Sequence, residues 1–141
     1  MYILIVNRDS IPALFEAIAR DISGDWVLVG GALLCVLGLT DRVTIDIDLV
    51  PLGKVTNRDQ LAVMEIAEKN GFPPEAVNFG AEYFVKKQKG WEKELVLLRD
   101  TGKARIYRPT KRLFRRLKEG RATETDLADI ALYESWKEDA R

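Results

Sequence analysis

Asp46 and Asp48 are the residues of this chain best suited to chemistry. They belong to an unbroken alternation from Arg42 to Val50, in which Arg42, Thr44, Asp46 and Asp48 share one face of a predicted strand and Val43, Ile45, Ile47 and Leu49 the other. Side chains two apart on a strand start roughly 6.5 to 7 Å apart and lean the same way, so the two carboxylates converge. Like charges that close repel unless a cation lies between them. A hard divalent ion such as Mg²⁺ takes one or two carboxylates, keeps some waters and accepts phosphate oxygens for the rest. Just upstream, Gly30-Gly31 ends the apolar run Trp26 to Val29 and opens an apolar stretch from Ala32 to Leu37. Such a pair leaves room for a phosphate beside a helix N-terminus. Either feature alone has an ordinary structural explanation, a solvated sheet face for the first and a turn for the second. In succession they point to metal-assisted chemistry on a nucleotide.

The residue inventory narrows the chemistry further. Histidine is absent, which excludes Ser-His-Asp and Cys-His catalysis and leaves carboxylates as the strong ligands for a hard cation. The single Cys35 sits in an apolar stretch and reads as core packing; one cysteine forms neither an internal disulfide nor a multi-cysteine zinc site. With 141 residues, 47% hydrophobic and 31% charged, the chain is expected to form a single globular domain spanning residues 1–141. No apolar run reaches the roughly 20 residues that span a bilayer. Residues 1–6 lack a basic leader and run directly into Asn7-Arg8-Asp9, so the expected location is cytoplasmic, with no membrane partner.

Net charge is zero, yet residues 103–121 carry nine Lys or Arg against Glu119 alone, and the balance reverses from residue 123 onward. The basic segment is able to attract phosphates.

The elements that must position these residues follow from periodicity and punctuation. A helix is predicted after Asp9 or Ser10 with Leu14, Phe15, Ile18, Ala19 and Ile22 inward, then a buried strand over 26–29 and a short buried helix over 32–37 stopped by Gly38. After the 42–50 strand, Pro51 to Gly53 turns the chain, and a helix from Asn57 to Gly71 buries Leu61, Met64, Ile66 and Ala67. A helical turn is expected near 75–79 and strands near 82–85, 91–98 and 104–107. Pro109-Thr110 opens a basic helix with Leu113, Phe114 and Leu117 inward. Thr123 with Asp126 forms a capping box for a last helix burying Leu127, Ile130, Ala131 and Trp136. Residues 1–6 are β-prone. The order of elements gives an α+β, or α/β-like, domain with a small mixed sheet flanked by helices.

A hydrophobic residue before Gly-Gly, a short helix, then Arg42-x-Thr44-x-Asp46-Ile-Asp48-Leu resembles the signature of the DNA polymerase β-like nucleotidyltransferase superfamily. The likeness is to its small prokaryotic branch of toxin-type and abortive-infection proteins. The segment from Arg108-Pro109-Thr110 through Lys118-Glu-Gly-Arg121 to Asp126-Leu-Ala-Asp129 is similar to that branch's Lys and Gly-Arg pair before an acidic helix. The resemblance implies a nucleotidyltransferase fold with C-terminal helices and transfer of an NMP from an NTP with release of pyrophosphate. It places Gly30 and Gly31 at the phosphates, with Arg42 and Thr44 beside them, and Lys118 and Arg121 as further nucleotide contacts. Asp46, Asp48 and a third carboxylate would hold a two-ion Mg²⁺ site. Glu94 is the better placed third acid, Glu92 shares its face, and a site lacking that acid is the remaining alternative. Asp126 and Asp129 read as helix caps or ion-pair partners.

The leading expectation is therefore a Mg²⁺-dependent nucleotidyltransferase. Its acceptor is open among a tRNA end, a protein hydroxyl and a small molecule, and its setting, a toxin-antitoxin pair, allows either role. The alternatives are a catalytically silent member that binds a nucleotide or a protein partner, and an RNA-binding module acting through residues 103–121.

Overall fold

The computed structural model describes residues 7–44, 46–120 and 123–138. The β-prone run 1–6, Ile45 and Arg121 lie outside them. Among the described residues, six helices and five strands form the α+β architecture expected, and no helix is long and apolar enough to cross a membrane.

The chain runs α1 (Ser10–Asp21), β1 (Gly24–Val29), α2 (Gly31–Val36), β2 (Ile47–Leu52) and α3 (Asn57–Lys69). After a 3₁₀ turn (Pro74–Ala76) come β3 (Val77–Asn78) and α4 (Glu82–Lys86). A second 3₁₀ turn (Trp91–Lys93) leads to β4 (Leu95–Asp100), β5 (Ala104–Pro109), α5 (Lys111–Glu119) and α6 (Glu124–Ser135). The sheet order is β3-β2-β1-β5-β4, with β1 antiparallel to β2, parallel to β5, and β3 parallel to β2. β1 is central and buried on both faces, as its continuous apolar run demands.

Alternation along the strands sends side chains into two apolar layers. Trp26, Leu28, Ile47 and Leu49 join the larger layer with α1, α2, α3 and α6. Val27, Val29, Val50 and Leu52 join the smaller one with Val85 of α4 and Leu117 of α5. By this parity Asp48 lies on the α4 and α5 side.

Several elements depart from the periodicity. The predicted 42–50 strand begins only at Ile47 and continues through Pro51 to Leu52. The reason is its partner: Asp48 pairs with Val29, the last residue of β1, and upstream no strand remains to receive a ladder. Hydroxyls take over there, Thr40 Oγ1 accepting from Arg42 N at 3.1 Å and Thr44 Oγ1 from Asp46 N at 3.2 Å. Pro51 is tolerated because β3 covers only Ile47 and Asp48, which makes β2 an edge strand further on. Residues 82–86 form a helix, not a strand, closed by a Lys86–Glu82 pair at 2.6 Å. The predicted strand 91–98 starts only at Leu95, because Trp91–Lys93 is a 3₁₀ turn. Leu61 and Leu127 are exposed and Ala131 faces solvent; α3 buries Val63 instead, and α6 turns Asp126, Asp129, Ile130 and Tyr133 inward. The Thr123–Asp126 capping box is present.

Candidate active site

The C-terminal end of β1, the start of β2, α4 and α5 enclose a cavity of about 470 Å³, within the size range of roughly 300 to 1,000 Å³ that takes small-molecule ligands. Gly30, Asp48, Phe84, Lys87, Arg116 and Lys118 are among the residues lining it. A larger and more open hollow of about 750 Å³ lies at the opposite end of the sheet. Its charges are mixed and partly engaged: Arg105 pairs with Asp25 at 3.2 Å, and Asp59 closes the Thr56 cap of α3. The smaller cavity is the better candidate because a carboxylate and several cations meet there around an apolar floor of Val29, Val85 and Leu117.

Both glycines of the Gly-Gly pair are required by close approach. Gly30 has φ +76°, which L side chains rarely adopt, and a Cβ there would stand 2.6 Å from Asp48 Oδ2. A Cβ on Gly31 would stand 2.5 Å from Arg42 Nη2. What approaches each glycine in this structure is thus a side chain of the second motif, and the two motifs interlock. α2 is only six residues long, so its dipole is a minor contributor to any anion field.

Arg42 fixes the loop leading to the carboxylates. Its guanidinium grips Asp129 of α6 with Nη1 at 2.9 Å from Oδ1 and Nη2 at 3.3 Å from Oδ2. That hydrogen bond, with Coulombic support, raises the Arg42 pKa further above its ordinary value. Asp129 also accepts from Lys118 Nζ at 2.9 Å, and Asp126 lies 3.4 Å from the same ammonium. Two cations face two carboxylates, so the network is neutral as a unit. Asp126 and Asp129 are ion-pair and capping residues, as expected from sequence. Lys118 lines the cavity but is held by them, whereas Lys87 and Arg116 bring the surplus positive charge. Arg116 reaches Lys89 O at 3.4 Å and Glu94 at 3.9 Å, and its buried Nε has no hydrogen-bond partner among the described residues.

Asp46 is exposed at the residue before β2, Thr44 is half-buried, and Asp48 is half-buried at the strand's start. Glu94 stands elsewhere. Its carboxylate accepts from Thr110 Oγ1 at 2.8 Å and faces Arg112 at 3.6 Å. β1 and β5 lie between its strand and β2, a separation on the order of 14 Å at the usual strand spacing. Glu92 is exposed in the 3₁₀ turn. Among the described residues no three acids, cysteines or histidines cluster to hold a metal.

The residue that shares Asp48's register on the neighbouring strand is Asn78. Sequence reasoning passed over it, although Val77-Asn78-Phe79 has the hydrophobic, polar, hydrophobic pattern sought for a third acid. An amide carbonyl can ligate Mg²⁺ but adds no negative charge. Here Asn78 Oδ1 accepts from Gly80 N at 2.7 Å.

The basic segment 103–121 is largely spent within the protein. Arg115 clasps Glu134 and Glu119, Lys111 donates to the carbonyls of Glu134 and Trp136, and Arg105 pairs with Asp25. Arg108 is buried against Tyr133, Trp136 and Glu138. No family model, curated protein or solved structure matches the chain.

Proposed function

We propose that the chain binds a Mg²⁺-NTP complex in the 470 Å³ cavity and transfers the NMP to an acceptor nucleophile. The observation that carries this reading is the contact between the two motifs: the Gly30 backbone leaves its Cβ space to Asp48, at the mouth of a cavity that also receives Lys87 and Arg116. Asp48 lines the cavity; Asp46, exposed two residues upstream, would have to turn toward it, and together they would supply the one or two carboxylates that a Mg²⁺ accepts beside phosphate oxygens. When bound, the ion supplies charge neutralisation at the transferring phosphoryl group. Lys87 and Arg116 are placed to neutralise the remaining phosphate charge, and the buried Arg116 Nε has no hydrogen-bond partner among the described residues. The Arg42–Asp129 grip holds the carboxylate loop in place. Its resemblance to toxin-type nucleotidyltransferases makes a toxin-antitoxin setting part of the proposal.

Asn78 favours a second reading. With a neutral amide beside Asp48, the residues fit one Mg²⁺ better than two, the composition of a nucleotide-binding relative without turnover. Incubation with each α-labelled NTP and Mg²⁺, in the presence of total RNA or protein, separates the two. Label transfer that disappears in the Asp46→Asn/Asp48→Asn variant supports the enzyme. Mg²⁺-dependent NTP binding without transfer supports the silent relative, and transfer that persists in the double variant contradicts both.

A further inference from the structure

We infer that the acceptor is a single-stranded nucleic acid, held on an aromatic and basic platform formed by α4 and the residues after it; this rests on the nucleotidyltransferase reading above. Tyr83 and Phe84 are 68% and 56% exposed, although large aromatic side chains normally contribute their area to a core or an interface. Their rings meet edge to face, with centroids 5.4 Å apart and planes at 80°. The Lys87 ammonium lies 5.5 Å from one centroid and 5.3 Å from the other. Phe84 and Lys87 line the candidate cavity. The platform is therefore continuous with the place where the nucleotide is proposed to react.

The chemistry of the platform selects its occupant. Bases stack on aromatic rings without regard to sequence, while lysines follow the phosphates between them. A mononucleotide has one base, whereas two rings set at 80° offer separate surfaces, and the exposed lysines at 86, 87 and 89 extend beyond the cavity. Glu82 is the one acid of residues 81–90, and it is paired with Lys86. A duplex keeps its bases stacked inside and cannot use the rings. A protein partner would use the same apolar area but would not need aromatic faces.

The test is fluorescence anisotropy with 5′-labelled 12-nucleotide single strands of RNA and DNA and a 12-base-pair duplex, against wild type, Tyr83→Leu/Phe84→Leu and Asp48→Asn. Leucine keeps the apolar surface and removes the stacking face. The expected result is binding of one or both single strands in preference to the duplex, weakened about tenfold or more by the leucine pair and unchanged by Asp48→Asn. Calorimetric NTP binding should be lost in Asp48→Asn and kept by Tyr83→Leu alone, because Tyr83 is not among the residues that line the cavity. Failure of NTP binding in wild type would overturn the nucleotide reading itself. Equal single-strand affinity in wild type and the leucine pair, preference for the duplex, or no binding of any oligonucleotide would overturn the platform alone, the last leaving Tyr83 and Phe84 as a protein-docking surface.

Discussion

Asp48 occupies the space that a side chain at position 30 would need: its Oδ2 stands 2.6 Å from where a Cβ on Gly30 would be built. Gly30→Ala must therefore both adopt a φ of +76° and displace the carboxylate. Strain of this kind costs about 1–3 kcal/mol, to be read from urea unfolding. Mg²⁺-NTP binding should fall with it. Repeating the substitution in an Asp48→Ala background separates the two effects. The steric share should vanish and the backbone share remain, giving a smaller loss of stability than in the wild-type background.

Removing Asp129 deprives Arg42 and Lys118 of their shared partner. The Asp129 side chain is 1% exposed and that of Lys118 10%, so Asp129→Ala leaves a buried ammonium with Asp126 alone. Breaking a buried pair from one side costs about 3–5 kcal/mol. Replacing both members, as in Asp129→Leu/Lys118→Met, should cost distinctly less, because no unpaired charge is left behind. Chemical denaturation of the two variants makes the comparison.

Tyr133 is fully buried, accepts from Arg108 Nη1 at 2.9 Å and donates to the carbonyl of Pro109. Burial raises its pKa, partly offset by Arg108. Below the ordinary tyrosine value near 10 the proton is held in both folded and unfolded chains, so the stability that the buried phenol contributes is fully present and independent of pH. As pH rises above that value the unfolded chain releases the proton first, so this stability is lost. Tyr133→Phe should cost about 1–3 kcal/mol at neutral pH by leaving buried groups unpaired. The difference from wild type should shrink between pH 10 and higher values in pH-resolved denaturation.

The local signals that proved legible were those complete within a few residues: the Thr123–Asp126 capping box, Thr110 as the cap of α5, and Gly30-Gly31 between strand and helix. The alternation through Arg42 to Val50 read as one strand because periodicity carries no information about partners, and β1 ends opposite Asp48. Glu94 reads in sequence as the better placed third acid because residues 91–98 look like a neighbouring strand. Which strand lies beside β2 is a property of topology, and the topology puts Asn78 there. The basic run 103–121 looked like a surface because its partners, Asp25, Glu94, Asp129 and Glu134, are distant in the chain. Tyr83 and Phe84 carry no clear signal in sequence, because residues 82–85 have the composition of a strand and form a helix.

Isothermal titration with the four NTPs, with and without Mg²⁺, on wild type and Asp48→Asn tests the central claim most directly. The expected result is Mg²⁺-dependent binding of at least one NTP by wild type, weakened about tenfold or more in Asp48→Asn, in line with roughly 1.4 kcal/mol per decade for a lost charged ligand. Binding that is indifferent to Mg²⁺, or equal in the two proteins, would contradict it.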